Sequence, residues 1–534
     1  MLTSFLIGCN KQIENTEKKL EPITLVFYTA DGKEDPWTDP VAKEITKATG
    51  VTIQQDYPVD GDARRISLMI ASKEYPDMIF AKGDGGTLIE AGALIDLREL
   101  IEEYGPNIKK LYGDSFDKLT YSEEDPSIYQ LPSNAVPEEI LTTSGTAQLQ
   151  WAVLKENNYK IPYTLDEYES MIKSYINKYP TINGKKAIGI SISCSDWHWY
   201  TTLSNPAGFI ANGAEDNGQW IIDDKDNYRA YYKYFAKGQK EYFKWLNRMY
   251  HEGILDKDFA TQTHEEYMEK IASGRVIGLL DTTWNYNDAE MVLKSEEQYE
   301  RTYAGLPVTL NEEIICAALK KQGLAVGWGI GITTSCKDPV RAIQFLDYLC
   351  SEEGQILLNW GIEGVNYSVV EGKRVRTIEE VLRYNQDTNY KEETGIGLHN
   401  YPFPTYGVGR LDSTGNSFSL QTKESVTGGY NVEQKAALEA WGVEMLTEIF
   451  PSSSQFEEVN YAPVWSQTLP QEFNDIEKKL DAIAWPGLID CIVGEENEFD
   501  EKWEALLEQF DEAGRKDAED MLSELIRNQV KLWQ

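Results

Sequence analysis

From residue 22 onward, short apolar runs alternate with longer amphipathic segments, the pattern of an α/β protein whose strands are buried between helices. Ile23 to Tyr28 reads as a buried strand, and Met78 to Phe80, Ala187 to Ser191 and the glycine-bounded Val276 to Leu280 read as three more. Helical spacing fills the intervals. Thr164 and Glu167 form a capping box ahead of Tyr168, Met171, Ile172, Tyr175 and Tyr179. Asp338 and Pro339 start a helix that buries Ala342, Phe345, Leu346 and Leu349. Two helices, near residues 500–512 and 516–533, close the chain with the apolar stripes Trp503, Leu506, Leu507, Phe510 and Met521, Leu522, Leu525, Ile526. Proline or glycine interrupts the periodicity at Leu131 to Pro137, around Gly305 to Pro307 and near Gly364 to Ser368, which predicts lobe crossings there.

The N-terminus departs from this pattern. Eight uncharged residues ending in Leu6-Ile7-Gly8 lead into Cys9, and a polar run from Asn10 to Pro22 follows. An apolar segment, a small residue and a cysteine read as the tail of a secretory signal. The stretch resembles the lipobox of bacterial lipoproteins. That resemblance implies cleavage after Gly8, acylation of Cys9 and a folded body tethered to the outer face of the cytoplasmic membrane.

Composition narrows the function. The chain carries 88 acidic against 51 basic residues, a formal charge of −37. Such a surface repels phosphate backbones, so no nucleic-acid partner is expected. No apolar run approaches the roughly 20 residues that span a bilayer. Setting Cys9 aside leaves Cys194, Cys316, Cys336, Cys350 and Cys491, an odd number without Cys-x-x-Cys spacing. They are expected to be buried thiols rather than a redox or zinc motif.

Several stretches, in order along the chain, resemble the extracellular solute-binding proteins of bacterial ABC importers, in the carbohydrate-binding family 1 and its lipoprotein subgroup. They are Tyr75-Pro-Asp-Met-Ile-Phe80, Ala91-Gly-Ala-Leu-Ile-Asp-Leu97, Ile128-Tyr-Gln-Leu-Pro132 and Tyr250-His-Glu-Gly-Ile-Leu-Asp256. Further on come Ile271-Ala-Ser-Gly-Arg-Val-Ile277, Leu349-Cys-Ser-Glu-Glu-Gly-Gln355 and Trp360-Gly-Ile-Glu-Gly-Val-Asn-Tyr367. The resemblance implies a two-lobed, hinged α/β fold of the type II periplasmic-binding-protein (maltodextrin-binding) kind. It also implies capture of a neutral oligosaccharide for a membrane permease, with no cofactor, by a monomer that is not an enzyme. The expected division is 1–21 signal remnant and tether, 22–133 plus 305–365 N-terminal lobe, and 134–304 plus 366–534 C-terminal lobe. Many relatives carry an acidic calcium loop after the helix matching Thr164 to Tyr179. Here Pro180-Thr-Ile-Asn-Gly-Lys-Lys186 has two lysines and no carboxylate, so no metal is expected at that loop.

Fourteen Trp and 31 Tyr supply surfaces for sugar rings, whose apolar faces stack on indole or phenol while their edges take hydrogen bonds. Burying about 100 Å² of such a face contributes roughly 2 kcal/mol. Ligands of open α/β sheets sit beyond the carboxyl ends of strands, which selects the candidates. Trp284 follows the strand Val276 to Leu280, and the resemblance places a stacking aromatic there. Trp328 lies in Gly327-Trp-Gly-Ile-Gly331, where glycines permit a close backbone approach to a ligand or a tight strand crossing. In Ser195-Asp-Trp-His-Trp-Tyr200 an extended backbone would turn Trp197 and Trp199 to one face and His198 to the other. Asp31 and Trp37 follow the first strand, Lys82 and Asp84 follow Phe80, and Asn366 and Tyr367 sit at a predicted crossing.

Catalytic motifs are missing from this sequence. His264-Glu-Glu-Tyr-Met268 has methionine where a zincin has its second histidine, and no Gly-x-Ser-x-Gly or Walker loop occurs. Composition leaves open a glycosidase carboxylate pair, a binder of peptide or another polar solute on the same fold, or a sugar-sensing surface protein.

Overall fold

The computed structural model describes residues 21–32, 36–58, 64–133, 135–387 and 389–534; Cys9 and the predicted lipobox lie outside them. Two sheets organise the chain. The first runs Val51–Asp56, Ile23–Thr29, Met78–Phe80, Gly329–Ile332, Leu131–Pro132. Its first three strands are parallel, and the strand Gly329–Ile332 enters antiparallel to its neighbours. The second runs Tyr303–Leu306, Gly145–Gln150, Val276–Thr282, Ile188–Ser191. All seven residues of Val276–Thr282 are buried, as a strand covered on both faces requires.

The predicted helices form where their caps allow. Thr164 accepts the amide of Glu167 at the start of Leu165–Lys178, whereas the Glu167 carboxylate takes the amide of Tyr163 at 2.9 Å. Asp338 caps Pro339–Cys350, whose Ala342, Phe345, Leu346 and Leu349 are all buried. The closing helices are Phe499–Glu512 and Arg515–Trp533.

Each sheet has its own core. Leu25, Phe27, Met78, Ile330 and Phe345 belong to the first; Leu149, Tyr168, Ile172, Leu280 and Trp503 belong to the second. The segment after 366 was expected wholly in the second lobe. Instead Tyr390, Ile396 and Phe403 are buried in the first core, and Ala437 is the residue from which later positions join the second. The chain passes from the first sheet to the second between Pro132 and Gly145 and back between Leu306 and Gly329, near two of the predicted crossings. The third prediction, Gly364 to Ser368, is a turn closed by the Gly364 amide on the Tyr367 carbonyl at 2.7 Å. The corresponding passage between cores lies between Leu420, packed against the first, and Ala437. The last helix straddles both lobes: Ile526 and Val530 sit in the second core, and Trp533 packs on the first.

Among the described residues no helix is long and apolar enough to cross a membrane. Cys194, Cys316, Cys350 and Cys491 are buried free thiols and Cys336 is half-buried. The Pro180 to Lys186 stretch is a short hairpin in which Thr181–Ile182 pairs with Lys185–Lys186.

Candidate functional site

A cavity of about 440 Å³ opens where the two crossing segments meet, within the size range of small-molecule sites. Its walls come from both crossings, through Val136, Ile140, Ala317 and Ala325, and from the second lobe, through Phe209 and Trp220. Trp284 and Trp465 bring two indoles to it.

Asp281 positions Trp284. It is fully buried at the end of the strand Val276–Thr282, and its carboxylate gathers the Tyr267 hydroxyl at 2.7 Å, the Thr282 amide at 2.7 Å and the Asn285 amide at 2.9 Å. Burial raises its pKa to about 7 despite those donors. The lock fixes the first turn of the helix Thr283–Ser295 and leaves the Trp284 indole 60% exposed. Trp197, 56% exposed, lies parallel to it, with ring centroids 6.3 Å apart and planes 9° apart. Behind Trp197 the rings continue: His198 stacks on it at 3.9 Å, and His264 on His198 at 3.8 Å. Asp196 holds His198 Nδ1 at 2.6 Å.

A second aromatic run descends from the first lobe. Trp328 meets Phe80 edge-on at 6.4 Å and Trp465 at 4.8 Å, and Trp465 donates its indole N–H to the Asp216 carbonyl at 3.1 Å. The Lys82 ammonium lies 5.0 Å over the Trp328 ring and pairs with Asp31, which also accepts the Tyr401 hydroxyl at 2.9 Å. Asp84 is half-buried in the same loop, and burial raises its carboxyl pKa.

Of the predicted residues Trp284 lines the cavity, Trp197, Trp328, Asp31, Lys82 and Asp84 lie outside its wall, and four more are committed to other packing. Trp199 is buried, stacked on Tyr200 and Trp485, because a turn rather than a strand carries it: the Trp199 amide bonds the Asp196 carbonyl at 3.2 Å. Trp37 is a core residue of the first lobe, with its indole N–H on Thr46 Oγ1 at 3.1 Å and its ring against His399 and Phe345. Asn366 is buried, accepting the Ile362 amide at 3.0 Å and donating to Glu380 at 3.2 Å, so its amide is committed to the turn. Tyr367 is half-buried with its ring against Trp360 at 6.0 Å. The glycines around Trp328 serve the crossing: Cβ atoms at Gly327 and Gly329 would lie 2.2 Å from the Ser466 carbonyl oxygen and 2.7 Å from the Leu131 backbone.

Sequence reasoning missed Trp465, Trp220 and Lys233. Trp465 follows Tyr461-Ala-Pro-Val, where the proline signals a loop but nothing signals a cleft. Lys233 is 2% exposed, and burial lowers its ammonium pKa to about 7 against the pull of Asp216 and Asp481. Asp481 is itself raised to about 7, by burial and then by Glu477, and accepts the Tyr200 hydroxyl. His264, the partial zincin match, is taken up in the ring stack, and among the described residues no group of three His, Cys, Asp or Glu is placed to hold a metal.

Two α/β lobes joined by crossing segments, with an aromatic-walled cavity at the junction, define a hinged solute-binding protein. The chain belongs to the bacterial extracellular solute-binding protein family, whose sequence model matches residues 41–376. It is 22% identical to "Lipoprotein LipO" of Bacillus subtilis over 62% of this chain and 65% of that protein. It is 24% identical to the "Fructooligosaccharide ABC transporter substrate-binding protein FusA" of Streptococcus pneumoniae over 52% of this chain and 53% of that one. These alignments thus span between half and two thirds of the relatives' length. The solved structure of FusA in complex with kestose has a TM-score of 0.66 at 17% identity, covering 94% of this chain and 98% of that one. The alginate-binding protein AlgQ2 without calcium ion also gives 0.66, at 20% identity, covering 95% and 98%. At such identities the structural likeness speaks for the fold.

Proposed function

We propose that this protein is the extracellular receptor of an ABC importer, binding a neutral oligosaccharide between its lobes and presenting it to the membrane permease. The observation that carries this reading is the cavity at the lobe junction, walled by Trp284 and Trp465 and bordered by the parallel Trp197. Flat indoles at a hinge suit pyranose and furanose faces, and a solute touching both lobes favours the closed form by its differential affinity. The fructooligosaccharide named for FusA is a precedent for an uncharged glycan.

The cavity walls also favour an uncharged ligand. Of the wall lysines, Lys320 is paired with Glu215 at 3.0 Å, and Lys321 donates to the Glu138 carbonyl at 2.8 Å. The acidic groups Glu215 and Asp216 stand in the same wall and disfavour a polyuronate. Binding proceeds without turnover on this reading, and Cys9 carries the lipid anchor.

Thermal-shift screening of the purified protein against a glycan panel tests the reading, with a reducing-end assay in parallel. Saturable stabilisation by an uncharged oligosaccharide without new reducing ends is the expected result. Sustained release of reducing ends would move the protein to the glycosidases, and stabilisation by peptides alone would move it to peptide import.

A further inference from the structure

Lys233 is the least ordinary residue of the cavity wall. Its side chain is buried, yet an ammonium offers three donors, and among the described residues Nζ hydrogen-bonds only the Ser204 carbonyl, at 3.0 Å. Among the described residues no carboxylate comes within ion-pair distance, although Asp216 and Asp481 act on it from two different elements. Buried donors are ordinarily satisfied, because an unfilled one forfeits its hydration without replacement. A lysine that keeps donors open where it lines a cavity is suited to meet an acceptor arriving from that cavity.

We propose that Lys233 is a specificity-determining residue of the cleft, whose Nζ donates to an uncharged oxygen of the bound solute: a hydroxyl, a ring oxygen or an amide carbonyl. The acceptor is uncharged because this wall already carries the acidic side chains Glu215 and Asp216, with Asp481 on the helix Gln471–Val493 acting on the same lysine. A ligand carboxylate would have to shed its hydration at a buried end lined by acidic groups, a cost that an uncharged oxygen avoids. The same cavity wall carries the apolar Gly208, Phe209 and Ala214, which suit the C–H face or methyl group of a neutral sugar unit. This assignment rests on the oligosaccharide reading above.

The test is titration calorimetry with 1-kestose, lacto-N-tetraose and trigalacturonate on the wild type, Lys233→Met and Lys233→Gln, alongside unliganded melting curves. The expected result is that an uncharged glycan binds the wild type, that Lys233→Met weakens it about tenfold or more, and that Lys233→Gln, which keeps N–H donors, retains most of the affinity. Equal affinity of wild type and Lys233→Met overturns the role of Lys233 and leaves the receptor reading standing. Tighter binding of trigalacturonate than of both uncharged glycans overturns the uncharged acceptor. Failure of the wild type to bind these three or any other glycan of the panel overturns the receptor reading and this assignment with it. If Lys233→Met does not fold, the ¹⁵Nζ resonance of Lys233 in the wild type decides: a shift on adding the glycan that binds supports the proposal, and an unchanged resonance at saturation overturns it.

Discussion

Trp197 and Trp284 lie with their indole planes 9° apart and their centroids 6.3 Å apart, both more than half exposed. Parallel aromatics left in solvent at the edge of a cavity hold apolar area that a sugar face can cover. Trp284→Ala and Trp197→Ala are each expected to weaken glycan binding by about 1 to 2 kcal/mol while leaving the unfolding free energy within about 0.5 kcal/mol. Calorimetry and urea unfolding on the same samples check this. Unchanged affinity in both variants would remove the pair from the site.

The buried tryptophans should behave in the opposite way. Trp37→Ala and Trp199→Ala each empty a packed position, Trp37 against Phe345 and His399, Trp199 against Tyr200 and Trp485. Both are expected to cost about 3 to 5 kcal/mol of stability. Where the variants stay folded, affinity for the glycan should change less than for Trp284→Ala, as measured by the same titration.

The contrast shows what the sequence could and could not reveal. Buried strands such as Val276–Thr282 were legible because a strand covered on both faces reads as continuous apolar chain, and Trp284 was legible because it follows such a strand end. Trp197 and Trp199 were expected on one face from strand alternation. The chain turns there instead, and in a helical turn residues two apart point about 200° from each other, which sends one ring to solvent and the other inward. Lys233 was not legible at all. Its partners, the Ser204 carbonyl and the acidic groups Asp216 and Asp481, are brought to it only by the fold.

Acid should act early on the second lobe through Glu169. Burial alone would raise this carboxyl, but hydrogen bonds from Arg248 at 2.6 and 2.7 Å, Lys173 at 2.6 Å and the Trp245 indole at 2.9 Å bring it down to about 2. A depressed folded-state pKa stabilises the protein above the unfolded carboxylate value, and that contribution is lost as pH falls through the folded value. Between about pH 5 and 2 the wild type is expected to lose on the order of 2 to 3 kcal/mol through this group. Glu169→Gln should be less stable at pH 7 and show a flatter pH dependence across the same window. Urea midpoints measured from pH 7 to 2.5 check it, and parallel curves for the two proteins would refute it.

Besides the side-chain bonds of Lys320 and Lys321, the return crossing is braced by direct backbone contact. The Gly327 amide donates to the Ser466 carbonyl at 2.6 Å, and a Cβ at Gly327 would lie 2.2 Å from that same oxygen; at Gly323 it would lie 1.9 Å from the Tyr461 carbonyl oxygen. Neither obstacle can rotate away, because each belongs to the main chain of the loop that carries Trp465. Gly327→Ala must therefore push the crossing and that loop apart, and the 4.8 Å Trp328–Trp465 contact with them. We expect a stability loss of about 1 to 3 kcal/mol together with weakened glycan binding. Gly83→Ala supplies the control: it lies in the first-lobe loop between Lys82 and Asp84, and a Cβ there meets nothing within 4 Å. It should change neither quantity by more than about 0.5 kcal/mol. If Gly327→Ala matched that control in both unfolding and titration, the crossing would not be braced against the Trp465 loop, and the ring wall between the lobes would need another support.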